Sequence, residues 1–139
     1  MRPLGKRHAA ILDTLTAGVS EEFPCRRISN APGRFLPVVI DRLGPRHFVV
    51  GHYFVRDGER LADPAIEFVR LDHGWFPAAI TALDRFARAL DVERGGTVIS
   101  YDPGEYYSLR PLAGSWLVEI EAQQGDLASK TTGETGGRG

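Results

Sequence analysis

The 139-residue chain carries 17 Lys/Arg against 18 Asp/Glu, a formal net charge of −1, with 42% hydrophobic and 25% charged residues. That is the composition of one globular domain, and the balanced charge argues against a generic polyanion binder. A single cysteine, Cys25, excludes an intrachain disulfide framework and a cysteine-rich zinc site; no apolar run approaches the roughly 18–20 residues of a membrane helix, so a cytoplasmic protein without membrane contact is expected.

From Leu4 to Gly18 the apolar residues Leu4, Ile11, Leu12 and Leu15 recur at helical spacing, with Gly18 as the stop. Val19 to Arg34 reads as irregular, with Ala31-Pro32-Gly33 as a turn signal. From Phe35 the period falls to two. Phe35–Leu43 and His47–Arg56 read as strands, the second rich in β-branched and aromatic residues. Asp57-Gly58 is a hairpin signal, and the return strand runs from Glu59 towards Leu71. A two-residue loop there pairs Arg56 with Glu59 and Phe54 with Leu61, and sets His52 beside Asp63. Continuing that register would place Phe48 opposite Glu67. A one-residue slip at Asp63-Pro64 instead joins Val50 to Ile66 and Phe48 to Phe68, so a bulge is expected at that dipeptide.

Beyond Trp75-Phe76-Pro77, the residues Ile80, Leu83, Phe86, Ala87 and Leu90 share one helical face, predicting a second helix over Ala79–Leu90. Thr97–Tyr101 reads as a short strand, and Asp102-Pro103-Gly104-Glu105 as a turn. Tyr106–Arg110 and Ser115–Ala122 read as two further strands. The expected fold is therefore α+β: a mostly antiparallel sheet of about six strands with two helices packed on one face. Residues 1–122 form the expected domain, and 123–139, with no aromatic residue, a mobile tail.

Charge is distributed unevenly. Residues 1–60 hold ten Arg/Lys and six Asp/Glu, whereas 61–139 hold seven and twelve. The basic residues Arg26, Arg27, Arg34, Arg42 and Arg46 gather around the first strand with Phe23, Phe35 and Phe48 interleaved, a pattern that suits a single-stranded nucleic-acid groove. The four histidines show no HxH or HxxxH spacing, so neither a metal nor another cofactor is expected. His52 beside Asp63, with Cys25 flanked by Arg26 and Arg27, is the one constellation with catalytic character. A structural hydrogen bond between His52 and Asp63 is the simpler reading. Phosphate-loop and nucleophile-elbow motifs are absent, and no residue is assigned as catalytic. Tyr101, Tyr106 and Tyr107 flank the expected turn and suit a protein-contact rim.

The strings FLPVVIDRLG, GHYFVRDG and DPAIEF, within residues 4–77, resemble a bacterial family of unknown function whose members are carried on plasmids and other mobile elements. That resemblance implies an accessory gene of a mobile element. By context it implies action through binding a host or competitor protein, inhibitors of defence nucleases being one such class. The leading expectation is a non-catalytic protein-binding protein using His52, Tyr53, Asp57, Asp63, Tyr101, Tyr106 and Tyr107. The alternatives are a small enzyme with a dispersed His/Asp site and a nucleic-acid binder acting through the Arg26–Arg46 region.

Overall fold

The computed structural model describes residues 1–29 and 35–125. Helix α1 (Lys6–Leu15) precedes six strands: β1 (Cys25–Ile28), β2 (Val38–Arg42), β3 (His47–Arg56), β4 (Glu59–Leu71), β5 (Gly74–Leu83) and β6 (Arg85–Arg88). These pair in chain order into one antiparallel sheet. Strands β7 (Leu90–Val92) and β8 (Val98–Tyr101) form a small second sheet, and helix α2 (Pro103–Gln124) ends the described chain. The α+β expectation holds. No helix among the described residues is long and apolar enough to cross a membrane.

The β3–β4 hairpin is local chemistry made visible. Asp57 and Gly58 have φ of 53° and 78°, the pair of positive values that a type I′ turn requires and that Asp-Gly supplies cheaply. Arg56 faces Glu59 and Phe54 faces Leu61, while Val50 faces Ile66 and Phe48 faces Phe68. Between these stretches the register slips: Tyr53 pairs Ala62 but Gly51 pairs Ala65. His52 thus stands opposite the Asp63-Pro64 bulge, which keeps both halves of the strand apolar towards the core.

Three expectations are corrected. Within Val19–Arg34, read as irregular, Cys25–Ile28 pairs with β2 as strand β1. Ala79–Leu90 is the end of β5, then β6 and the start of β7. The helical spacing of Ile80, Leu83, Phe86 and Ala87 is real, but strand pairing overrides it. Ile80 faces Ile66 on one side and Ala87 on the other, and Leu83 adopts φ 59° at the β5–β6 turn. The expected turn and strands over Asp102–Ala122 are the single helix α2. Asp102 caps it by accepting from the Glu105 N–H at 3.1 Å, and Pro103 follows at the first helical position, where no N–H partner is lost. Its apolar residues Tyr106, Leu109, Ala113, Trp116, Leu117 and Ile120 are buried at spacings of three, four and seven, a helical face that Pro111 and Gly114 disguise in the sequence. Gly114 is required by packing: a Cβ there would lie 2.5 Å from Cε1 of His8 on α1.

Two apolar clusters result. Ile11, Leu12 and Leu15 of α1 and the second half of α2 pack on Ile28, Val38, Ile40, Phe48, Val50, Ile66, Phe68 and Trp75. Tyr106 and Leu109 of α2 join Val69, Leu71, Phe76, Ala78, Leu90 and Val92 in the other. The segment before α1 is strapped to the fold. Leu4 donates to the Trp75 carbonyl at 2.9 Å, and Arg110 donates from Nε and Nη2 to the Pro3 carbonyl at 3.0 and 2.7 Å. The expected mobile tail falls outside the described residues from position 126 onward.

Candidate functional site

Alternation along β1 to β3 sorts side chains between two faces of the sheet. Ile28, Val38, Ile40, Val50 and His52 are buried on the helix side. Their neighbours Arg27, Val39 and Tyr53 come together on the outward side, where with Pro37, Phe54, Val55 and Arg60 they line a cleft of about 290 Å³. Arg27 faces Val39 across β1–β2, and Val39 faces Gly51 across β2–β3.

Gly51 is the pivot of this cleft. A Cβ at this position would lie 2.8 Å from Cε2, Cζ and the hydroxyl oxygen of Tyr53. The phenol ring therefore lies back over its own strand and covers the bare glycine, an arrangement that offsets the weak packing of glycine in a sheet. The Arg60 guanidinium stacks on this ring, with Cζ 3.8 Å from its centroid, the planar cation-on-aromatic contact that Arg favours. Burial pushes the Tyr53 hydroxyl above the ordinary phenol range; Arg60 pulls it back, and Asp41 and Cys25 push it further up. The hydroxyl is thus a protonated hydrogen-bond donor at neutral pH. Neither Arg27 nor Arg60 forms an ion pair with any carboxylate among the described residues. Two guanidinium groups, a phenol and the apolar Val39, Val55 (72% exposed) and Pro37 make a small, cationic, half-apolar recess.

The other sequence candidates scatter. His52 is buried against Trp116, edge to face at 5.5 Å, and its Nε2 has no hydrogen-bond partner. Packing against α2 holds the ring, and the expected His52–Asp63 hydrogen bond is replaced by longer-range attraction. Burial pulls the imidazole below its ordinary value, while Glu119 and then Asp63 push it back up. Cys25 lies on the other face, opposite Asp41 and near Tyr53, so the sheet separates it from His52 and the dispersed catalytic pair does not assemble. Asp57 and Asp63 are exposed around the hairpin.

Tyr106 is fully buried. Its ring meets Tyr101 and Tyr107 edge to face at 5.6 and 5.1 Å, and its hydroxyl donates to the Arg2 carbonyl. The Tyr107 hydroxyl accepts from the Arg2 N–H at 3.1 Å. Tyr106 and Tyr107 thus clasp the N-terminal segment, with Tyr101 packed on the Tyr106 ring, and Tyr106 is a core residue of α2 where the sequence suggested a rim.

The arginine set divides similarly. Arg26 is buried and donates to the carbonyls of Thr14 and Leu15 at 2.7 and 3.0 Å. Arg46 reaches the Arg70 carbonyl and Asp72 at 3.2 and 3.4 Å. Arg42 ends β2, and Arg34 lies outside the described residues. Of the four that the structure describes, only Arg27 lines the outward cleft. Sequence reasoning missed Arg60, Val39 and Val55. The usable signal was a glycine inside a strand followed two residues later by tyrosine, which marks the face where an aromatic ring covers bare backbone.

Comparison with protein-family models, with curated proteins and with solved structures finds no match to this chain.

Proposed function

We propose that this chain is a non-catalytic accessory protein that acts by binding another protein, through the outward face of β1 to β4 at the base of the β3–β4 hairpin. The observation that carries this reading is the cleft itself: an aromatic ring and two guanidinium groups without carboxylate partners among the described residues, set among apolar side chains. Tyr and Arg are the residue types that dominate binding energy at protein interfaces, because each combines large contact area with directed polar groups. The resemblance of residues 4–77 to a family carried on mobile elements supports an accessory role and, by context, a host defence nuclease complex as the target class.

The test is affinity capture from lysate of the native host at low and moderate salt, with wild type, Tyr53→Ala and Arg60→Ala side by side. A stoichiometric protein that survives moderate salt and is lost from both variants supports the reading. Equal capture by all three proteins overturns the assignment of this face. Recovery of nucleic acid that disappears with salt overturns the protein-binding reading itself.

A further inference from the structure

We propose that the cleft seats the carboxylate of an Asp or Glu side chain from an acidic, apolar-flanked segment of the partner protein, held between the guanidinium groups of Arg27 and Arg60. This inference rests on the protein-binding reading above and names the chemistry of its contact.

The charge balance at the cleft points one way. Among the described residues two cations and no carboxylate line it, and Asp41, which acts on the Tyr53 hydroxyl, stands outside the lining. The three ion pairs among the described residues use Arg7, Arg46 and Arg88, which leaves Arg27 and Arg60 without an acidic partner. Stacking on Tyr53 occupies one face of the Arg60 guanidinium. The N–H groups of a guanidinium point outward in its own plane, so stacking leaves them available, in the fork geometry that matches a carboxylate. The Tyr53 hydroxyl, kept protonated by its surroundings, adds a neutral donor on the same face.

Size and walls narrow the ligand further. A volume of about 290 Å³ sits at the lower bound for small-molecule pockets, about 300 Å³, and suits one or two side chains. Pro37, Val39 and Val55 offer apolar contact to the residues beside the carboxylate. A polynucleotide backbone would need cations repeated along a track. Arg26 points into the core and Arg46 is engaged with Asp72 and the Arg70 carbonyl, so neither extends such a track among the described residues.

The experiment is an amide-resolved NMR titration of the full chain with acetyl-Val-Glu-Phe-amide, acetyl-Val-Gln-Phe-amide and a thymidine octanucleotide. The glutamate peptide is expected to give saturable shifts at Gly51, Tyr53 and Arg60, with a Kd on the order of 1 mM for so short a probe. The glutamine peptide, or the Arg27→Ala/Arg60→Ala protein checked for an unchanged melting temperature, is expected to bind about tenfold or more weakly. Equal affinity for the two peptides, absence of saturation, or tighter binding of the oligonucleotide overturns the inference. If the peptides fail while capture of a partner still depends on Tyr53, the carboxylate contact falls and the binding-protein reading stands. If the glutamate peptide binds as expected while capture is unaffected by Tyr53→Ala, the contact chemistry stands and the reading falls.

Discussion

Replacing Arg26 by methionine separates a structural arginine from a ligand-binding one. Arg26 reaches from β1 to the C-terminal end of α1 and donates from Nη1 to two carbonyls there, Thr14 at 2.7 Å and Leu15 at 3.0 Å. Helix α1 has no basic residue in its own last turn, so the cation that complements the negative end of its dipole comes from the sheet. Hydrogen bonds from a charged donor contribute about 1.5–3 kcal/mol each, which sets an upper range of about 3–6 kcal/mol. Arg26 is only 3% exposed, and desolvation of its guanidinium offsets part of that gain. Methionine keeps the apolar stem, so we expect a net loss of about 2–4 kcal/mol in urea unfolding. At about 4 °C per kcal/mol for a domain near this size, the melting temperature falls by about 8–16 °C. Arg27→Met, one residue away but facing outward, is expected to stay within about 0.5 kcal/mol of wild type. An Arg26→Met protein that melts within about 2 °C of wild type refutes the reasoning, as does one that loses a ligand without losing stability.

Three further outcomes are expected. Gly114→Ala forces a Cβ against the His8 ring at 2.5–3.1 Å and should destabilise by about 1–2 kcal/mol through overpacking. The same change in a His8→Ala background should stabilise by up to about 1 kcal/mol through helix propensity; a chemical-denaturation cycle reads the change of sign. His52 has a folded-state pKa below its ordinary 6.5, so the unfolded chain binds the extra proton first. Its contribution is complete above about pH 6.5 and is lost as pH falls from there through the folded pKa. His52→Leu should flatten that part of the melting profile between about pH 7 and 5, and an unchanged slope counts against it. Gly51→Ala should displace the Tyr53 ring, which stands 2.8 Å from the new Cβ. Ultraviolet titration of the phenols should then show one group returning towards the ordinary range, and an unaltered titration rules out the stacked geometry.

The parts of the fold readable in the sequence are those fixed by neighbours in the chain. Asp57-Gly58 dictates a turn, the turn dictates Arg56 against Glu59, and the apolar alternation of β3 and β4 then demands the slip at Asp63-Pro64. The misread parts depend on distant partners. Ile80 and Ala87 look helical until β4 supplies the pairing for β5. Tyr106 to Ile120 look like strand and turn because Pro111 and Gly114 interrupt the run, and Gly114 makes sense only once His8 lies across it. The site divides in the same way. Tyr53 stands out locally, but Arg60 reaches its ring diagonally from the neighbouring strand β4, beside Val55 and not opposite Tyr53. The roles of Arg26 and Arg27 follow from which face the helices cover, information that no local pattern contains.

The most direct test of the account is hydrogen exchange on the chain alone and in complex with its captured partner. Slowed exchange is expected in the peptides spanning 25–28, 38–42 and 51–62, with 85–101 unchanged. Protection confined to 85–101, or to the exposed face of α2, would contradict the assignment of the outward face of β1 to β4 as the binding surface.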